Sequence, residues 1–185
     1  YGENLNPPLD WSGVPQGAKS LALIVEEPEE RISSGNNNYS YIPSVGLVHW
    51  VLFNIPPDVT SLPGAIPTST DVLPDGSVQG MNDFDGMWYS GPCPSPSTVV
   101  YWTDGSQNKK AADSPREYLF RVYALDAMLD LAPGATKADL LAAMEDHTLA
   151  YGETMGKYQG PRQQGWYVDA SGTPIPNTPT PVKTQ

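Results

Sequence analysis

The chain has 185 residues, 39% of them hydrophobic, which suits one domain with a sizeable core and a tail. A formal charge of −11, from 21 acidic against 10 basic side chains, opposes binding to nucleic acid or anionic membrane, since phosphate attraction needs clustered Lys and Arg. No apolar run reaches the ~18–20 residues of a membrane span, and a lone cysteine, Cys93, excludes an intrachain disulfide and any multi-cysteine metal site.

With 20 prolines and 17 glycines, the chain favours short strands joined by turns. The first predicted strand is SLALIVEE (20–27). A polar, Ser- and Asn-rich insertion follows over 30–46. VHWVLFNI (48–55) is the second strand, stopped by Pro56-Pro57, and a weaker one lies near 77–81. The stretch GMNDFDGMWYSGPCP (80–94) has neither helical period nor strand alternation, so it must hold a particular backbone shape. Residues 95–115 form a second insertion, long for a connection. REYLFRVYALD (116–126) is the third strand. A helix is predicted over 137–147, with Thr136 as its cap, Asp139 in the capping-box position and Leu140, Leu141 and Met144 as its apolar stripe. Residues Thr148 to Tyr158 read as a second helical piece ended by Gly156. The domain closes near residue 160, and 161–185 is an extended Pro/Thr-rich tail. Residues 95–115 and 168–185 are expected to be the segments least tied to the core, and the first choices for contacts in any assembly.

Side chains alternate along a strand. Glu27 therefore shares a face with Leu21, Leu23 and Val25, His49 with Val51, Phe53 and Ile55, and Arg116 and Tyr118 with Phe120, Val122 and Ala124. Glu27 ends its strand, while His49 and Arg116 begin theirs. If the first strand runs antiparallel to the other two, these polar groups gather at one mouth of the core. Charged groups at the rim of an apolar face need partners or solvent, and their convergence beside a Gly/Pro-shaped loop points to a small polar-mouthed pocket.

Together these motifs resemble the phosphatidylethanolamine-binding protein family, which includes the Raf kinase inhibitor-like proteins of bacteria and archaea. ENLNPPLDWSGVPQGAKSLALIVEEPEE (3–30) is similar to the family's opening, and HWVLFNIP (49–56) to its His-Trp-Val…Asn-Ile-Pro strand. GMNDFDGMWYSGPCP is similar to its Gly-x-Asn-Asp-Phe…Gly-Pro-Cys-Pro segment, and REYLFRVYALD to its His-Arg-Tyr strand. His147 and Gly156-Lys157-Tyr158 are similar to its C-terminal end. The resemblance implies a mainly β, two-sheet antiparallel sandwich with one or two C-terminal helices. It also implies a small anion-binding cavity, lined here by Glu27, His49, Tyr118, Gly91 and Pro92, with the loop's backbone N–H groups as donors. Glu29 and Arg116 stand where the family has an aspartate and a pocket histidine. Their longer side chains, with the missing second proline after Pro28, alter the pocket. Glu27 and Arg116 are expected to pair across it in the empty protein and to weaken phosphate binding.

No Gly-x-Ser-x-Gly elbow and no His-Glu-x-x-His motif is present, so neither hydrolase nor metalloenzyme chemistry is indicated, and no cofactor or metal is expected. The acidic runs at 26–30 and 83–85 read as solvated charge, and Cys93 as structural. The reading is a non-catalytic binding protein for a phosphate, phospho-headgroup or carboxylate, with a protein partner such as an inhibited enzyme. The alternatives are an enzyme using Glu27 and His49 as an acid–base pair, or an assembly subunit using its tail and insertions. The sequence opens at Tyr1 and not at methionine, so an upstream part is expected to have been removed, by processing or by trimming. A secretory leader, none of which lies in the sequence, would explain this, and a periplasmic or secreted location is expected over a cytoplasmic one.

Overall fold

The computed structural model describes residues 4–28, 46–92, 116–158, 167–168 and 174–175. In chain order these form β1 (Leu9–Asp10), β2 (Ser20–Glu27), β3 (Leu47–Ile55), β4 (Ser61–Leu62), β5 (Val78–Gln79), β6 (Arg116–Leu125), α1 (Lys137–Ala143), β7 (Thr148–Tyr158), β8 (Tyr167–Val168) and β9 (Pro174–Ile175). The main sheet has the order β5-β3-β2-β6-β7, with every neighbouring pair antiparallel. The ribbon β1-β4 is the second sheet, and β8-β9 makes a separate antiparallel ribbon within the tail. Glu29, all but the last residue of the 30–46 insertion, Cys93, the whole of the 95–115 insertion and the rest of the tail lie outside the described residues.

The three central strands are the three predicted from β-branched and aromatic runs. Strand β2 is buried at all eight positions because both of its faces are covered. On one face Leu21, Leu23 and Val25 join Trp50, Leu52, Ile55 and Leu62, with Leu9, Trp11 and Val14 packed over them. On the other, Ala22 and Ile24 join Val48, Val51, Phe53, Leu125, Leu140 and Met144 beneath α1. We refer to these as the ribbon face and the helix face. Among the described residues no helix is long and apolar enough to cross a membrane.

Two predictions need correction. The helix spans Lys137–Ala143 and gives way to turns through His147, where Asp146 takes a φ of 64°. Its Thr136 cap and Asp139 capping box are as expected. Seven residues are too few for a helix to stand alone, so Leu140, wholly buried, anchors it on the sheet. The second helical piece is instead the strand β7, in register with β6 from Arg116↔Tyr158 to Leu125↔Thr148. Gly152 and Gly156 weaken any helix there, whereas a strand lets β7 complete the ladder along β6.

Strand β3 departs from simple alternation in two places. Its register against β2 shifts between Leu21/Leu23 and between Val25/Glu26. At the first shift Asn54 takes a φ of 54°, and its side-chain amide exchanges two hydrogen bonds with the Leu129 backbone, at 2.9 and 2.8 Å. At the second, Val25 pairs with Trp50 while Glu26 pairs with Val48, so His49 is the extra, bulged residue.

Candidate functional site

That bulge decides which side of the sheet His49 serves. Val51 and Phe53 pack on the helix face, so unbroken alternation would have sent His49 there with them. Its ring lies instead 5.1 Å from that of Tyr118, edge to face, and Tyr118 shares its side of β6 with Phe120 and Val122 of the ribbon face. Glu27, in phase with Val25 along β2, lies on this face too, and its charge acts on the imidazole. The expected grouping of Glu27, His49 and Tyr118 is therefore present, while the expected grouping of His49 with Val51 and Phe53 is not.

The loop 80–92 runs along the edge of β3 beyond β5. Gly80 N–H donates to the Val51 carbonyl at 2.9 Å, Asp83 N–H to Val48 at 3.0 Å and Ser90 N–H to His49 at 2.8 Å. Asp83 closes the ladder by accepting Val48 N–H on its carboxylate at 2.7 Å. Asn82 organises the loop from within. Its Oδ1 accepts from Phe84 N–H at 2.9 Å and Gly86 N–H at 3.0 Å, and its Nδ2 donates to the Trp88 carbonyl at 2.7 Å and Ser90 Oγ at 3.0 Å. Gly86 is required here, since a Cβ would lie 2.6 Å from the Trp88 indole.

What the loop offers a ligand differs from the expectation. Ser90 N–H is spent on the His49 carbonyl, Gly91 N–H donates to Asn4 Oδ1 at 2.5 Å, and Pro92 has no N–H. The amides of 90–91 are thus not open donors. The loop acts through a carbonyl instead: His49 Nδ1 lies 2.6 Å from Ser90 O, so Nδ1–H is the donor. The neutral ring therefore carries its proton on Nδ1 and its lone pair on Nε2.

His49 is 1% exposed, and Nε2 has no hydrogen-bond partner among the described residues. Burial pulls the imidazole below its ordinary value of 6.5, against the Ser90 hydrogen bond, the Glu27 charge, the Gly91 backbone and the Asp83 charge, which all favour the proton. Tyr118 is buried, and Gly91 and Pro92 are half-buried. The side chain of Arg116, which opens β6, and all of Glu29 lie outside the described residues, so the Glu27–Arg116 pairing is not described. Among the described residues no group of three or more His, Cys, Asp and Glu is placed to hold a metal ion. Two shallow hollows lie elsewhere, one of about 400 Å³ beside Met144 and Thr148, the other of about 270 Å³ under Trp11 and against β6 and β7.

Sequence reasoning missed Asn4, Asn82, Phe84 and Ser90. Asn82 and Phe84 stood inside a segment singled out for its shape, but their roles depend on a turn that composition does not specify.

The family model described as phosphatidylethanolamine-binding protein matches residues 1–159. A UPF0098 protein of Methanothermobacter thermautotrophicus is 46% identical over 158 residues, covering 85% of each chain. Among solved structures, the phosphatidylethanolamine-binding protein homologue CT736 of Chlamydia trachomatis superposes with a TM-score of 0.61 at 32% identity, over 85% of this chain and 82% of that one. Escherichia coli YbcL, described as a member of the mammalian family, gives a TM-score of 0.61 at 30% identity, over 86% and 83%. With the antiparallel sandwich and the loop against His49 already in place, these matches mean that the chain belongs to the phosphatidylethanolamine-binding protein family.

Proposed function

We propose that the protein is a binding protein that holds a small anion, such as a phosphate, a phosphorylated headgroup or a carboxylate, at His49. The observation that carries this reading is the buried Nε2 with no hydrogen-bond partner among the described residues, on a ring already fixed through Nδ1. A buried polar atom of this kind costs stability unless something is bound there in use. In its neutral form Nε2 accepts a hydrogen bond, which suits a ligand hydroxyl such as that of a protonated phosphate. Once protonated, it donates to an anionic oxygen in a charge-assisted bond. Glu27 sets the opposing charge: it favours the imidazolium but repels a dianion.

Calorimetric titration with inorganic phosphate tests the reading. Wild-type protein should bind, His49→Gln should lose at least tenfold in affinity, and His147→Gln should bind as wild type. Equal binding by wild type and His49→Gln would reject the site.

The closeness of Glu27 to His49 also favours a second reading, an acid–base pair acting on a small substrate. Here Nδ1–H is held by the Ser90 carbonyl and the nearby Glu27 and Asp83 charges favour the imidazolium, which suits holding an anion as well as proton transfer. Among the described residues no nucleophile or leaving-group machinery stands beside the pair. Binding is therefore the reading we adopt, and turnover of any member of a pooled metabolite set, lost in His49→Gln, would favour the enzyme.

A further inference from the structure

Phe84 sits at the tip of the turn 82–86, and almost every polar group around it is fixed. Asn82 N–H donates to the Gly86 carbonyl at 2.9 Å, and Asn82 Oδ1 takes the N–H groups of Phe84 and Gly86 at 2.9 and 3.0 Å. Asp85 takes a φ of 57°, and Asp83 is tied to Val48 by two hydrogen bonds at 3.0 and 2.7 Å. So rigid a turn aims its side chain. The Phe84 ring lies on His49, with centroids 5.0 Å apart and planes tilted by 52°. It belongs to neither core cluster and is 38% exposed. An aromatic left in water on a braced turn, outside the core, is poorly explained by packing alone.

The two rings against His49 differ in exposure. Tyr118 is 4% exposed and Phe84 38%, so of the two rings in contact with the imidazole Phe84 is the one that also meets solvent. Resting on the reading of His49 as an anion site, we propose that Phe84 is its specificity-determining residue, selecting anions that carry an aromatic or apolar group over bare inorganic phosphate. A bare phosphate loses hydration against this ring and gains nothing from it. A substituent that is itself apolar buries surface there, and a flat one can take an offset or edge-on arrangement. The same ring helps keep the imidazole dry, and burial is the largest influence lowering its proton affinity.

The test compares inorganic phosphate with phenyl phosphate by calorimetry on wild type, Phe84→Leu and Phe84→Ala. The wild type should prefer phenyl phosphate about tenfold. Phe84→Leu, which keeps the bulk of the side chain and the turn, should lower the preference to about threefold. Phe84→Ala should bring it to about one while retaining phosphate binding within a few-fold, and should raise the His49 pKa read from its ring resonances. An unchanged preference in Phe84→Leu, or in Phe84→Ala if that variant folds, overturns the proposal. Equal affinities in wild type, or parallel loss of both ligands in the variants, also overturn it and leave the anion site standing. Failure of wild type to bind either anion removes the underlying site itself.

Discussion

Glu26 and Glu27 are neighbours on β2, are both buried, and serve opposite faces of the sheet. On the helix face Glu26 meets two cations: Arg121, whose Nη1 is 2.5 Å from Oε1, and Lys137 from the first turn of α1. Arg121 also reaches Glu153 of β7 at 3.0 Å. This carboxylate ties α1, β2, β6 and β7 together, and its charge is neutralised within the fold. Glu27 lies beside a histidine held below its ordinary proton affinity. The contrast shows how one strand keeps two buried acids for different ends. A carboxylate between two cations is a structural pin, whereas one beside a titratable ring biases a site.

If the helix face is the dry, closely packed side, adding a single methyl group there should be costly. A Cβ at Gly80 would lie 2.4 Å from the Ala135 carbonyl oxygen and 2.6 Å from Val51 Cγ1. Gly80→Ala should lower unfolding stability by about 3 kcal/mol, at the upper end of typical overpacking costs, read by urea denaturation. A loss below about 0.5 kcal/mol would mean that this side yields easily. Arg121→Ala comes next, since it removes one of the two cations from a buried acid. Because the Arg121 side chain is itself 31% exposed, the expected loss is about 2 kcal/mol, below the 3–5 of a wholly buried pair.

Glu27→Gln sharpens the comparison from the other side. Because Glu27 is buried, the exchange should lower stability by about 1 kcal/mol, the centre of the range for single substitutions, and by less than Arg121→Ala. It should also tighten phosphate binding several-fold by removing the repelling charge, measured by calorimetry. Weaker binding would make Glu27 a group that orients the ligand and not one that opposes it.

Acidity supplies the smallest effect on stability and the most specific one. His49 has a folded-state pKa below 6.5, so well above 6.5, about a pH unit or more, it is neutral in both folded and unfolded chains and has no influence on stability through titration. As pH falls from 6.5 towards the folded value, the unfolded chain binds the proton first, and stability declines. His49→Gln should flatten that decline in denaturation curves taken between pH 7 and 5. Sulfate, which does not titrate in this range, should bind more tightly to wild type by up to about tenfold per pH unit over the same interval, because binding takes up a proton.

Much of this architecture was legible in the sequence, and the exceptions have physical causes. Strands β2, β3 and β6 announce themselves through runs such as LALIV and WVLF, and Thr136 with Asp139 marks the helix start. Strand β7 does not, because its Ala150, Gly152, Thr154 and Gly156 are small and its alternating Leu149, Tyr151 and Met155 are interrupted by Glu153 and stay exposed; partnership with β6 makes it a strand. The site was read partly for a reason the structure replaces. Alternation through Val51 and Phe53 places His49 on the helix face, and only the bulge returns it to Glu27 and Tyr118. The loop's importance was legible from its glycines and prolines. Its chemistry was not, because whether an amide donates to a ligand or to Asn4 depends on where a distant residue folds back.

The central claim is that an anion binds at His49 Nε2. With only two histidines in the chain, ring-nitrogen NMR isolates it. Titrating phosphate into nitrogen-15 histidine-labelled protein near pH 6 should move His49 Nε2 towards the protonated range and leave its Nδ1–H bound to Ser90. His147, which is exposed and paired with Asp126, should stay unchanged. Phosphate binding that leaves both His49 nitrogens unmoved would contradict the account.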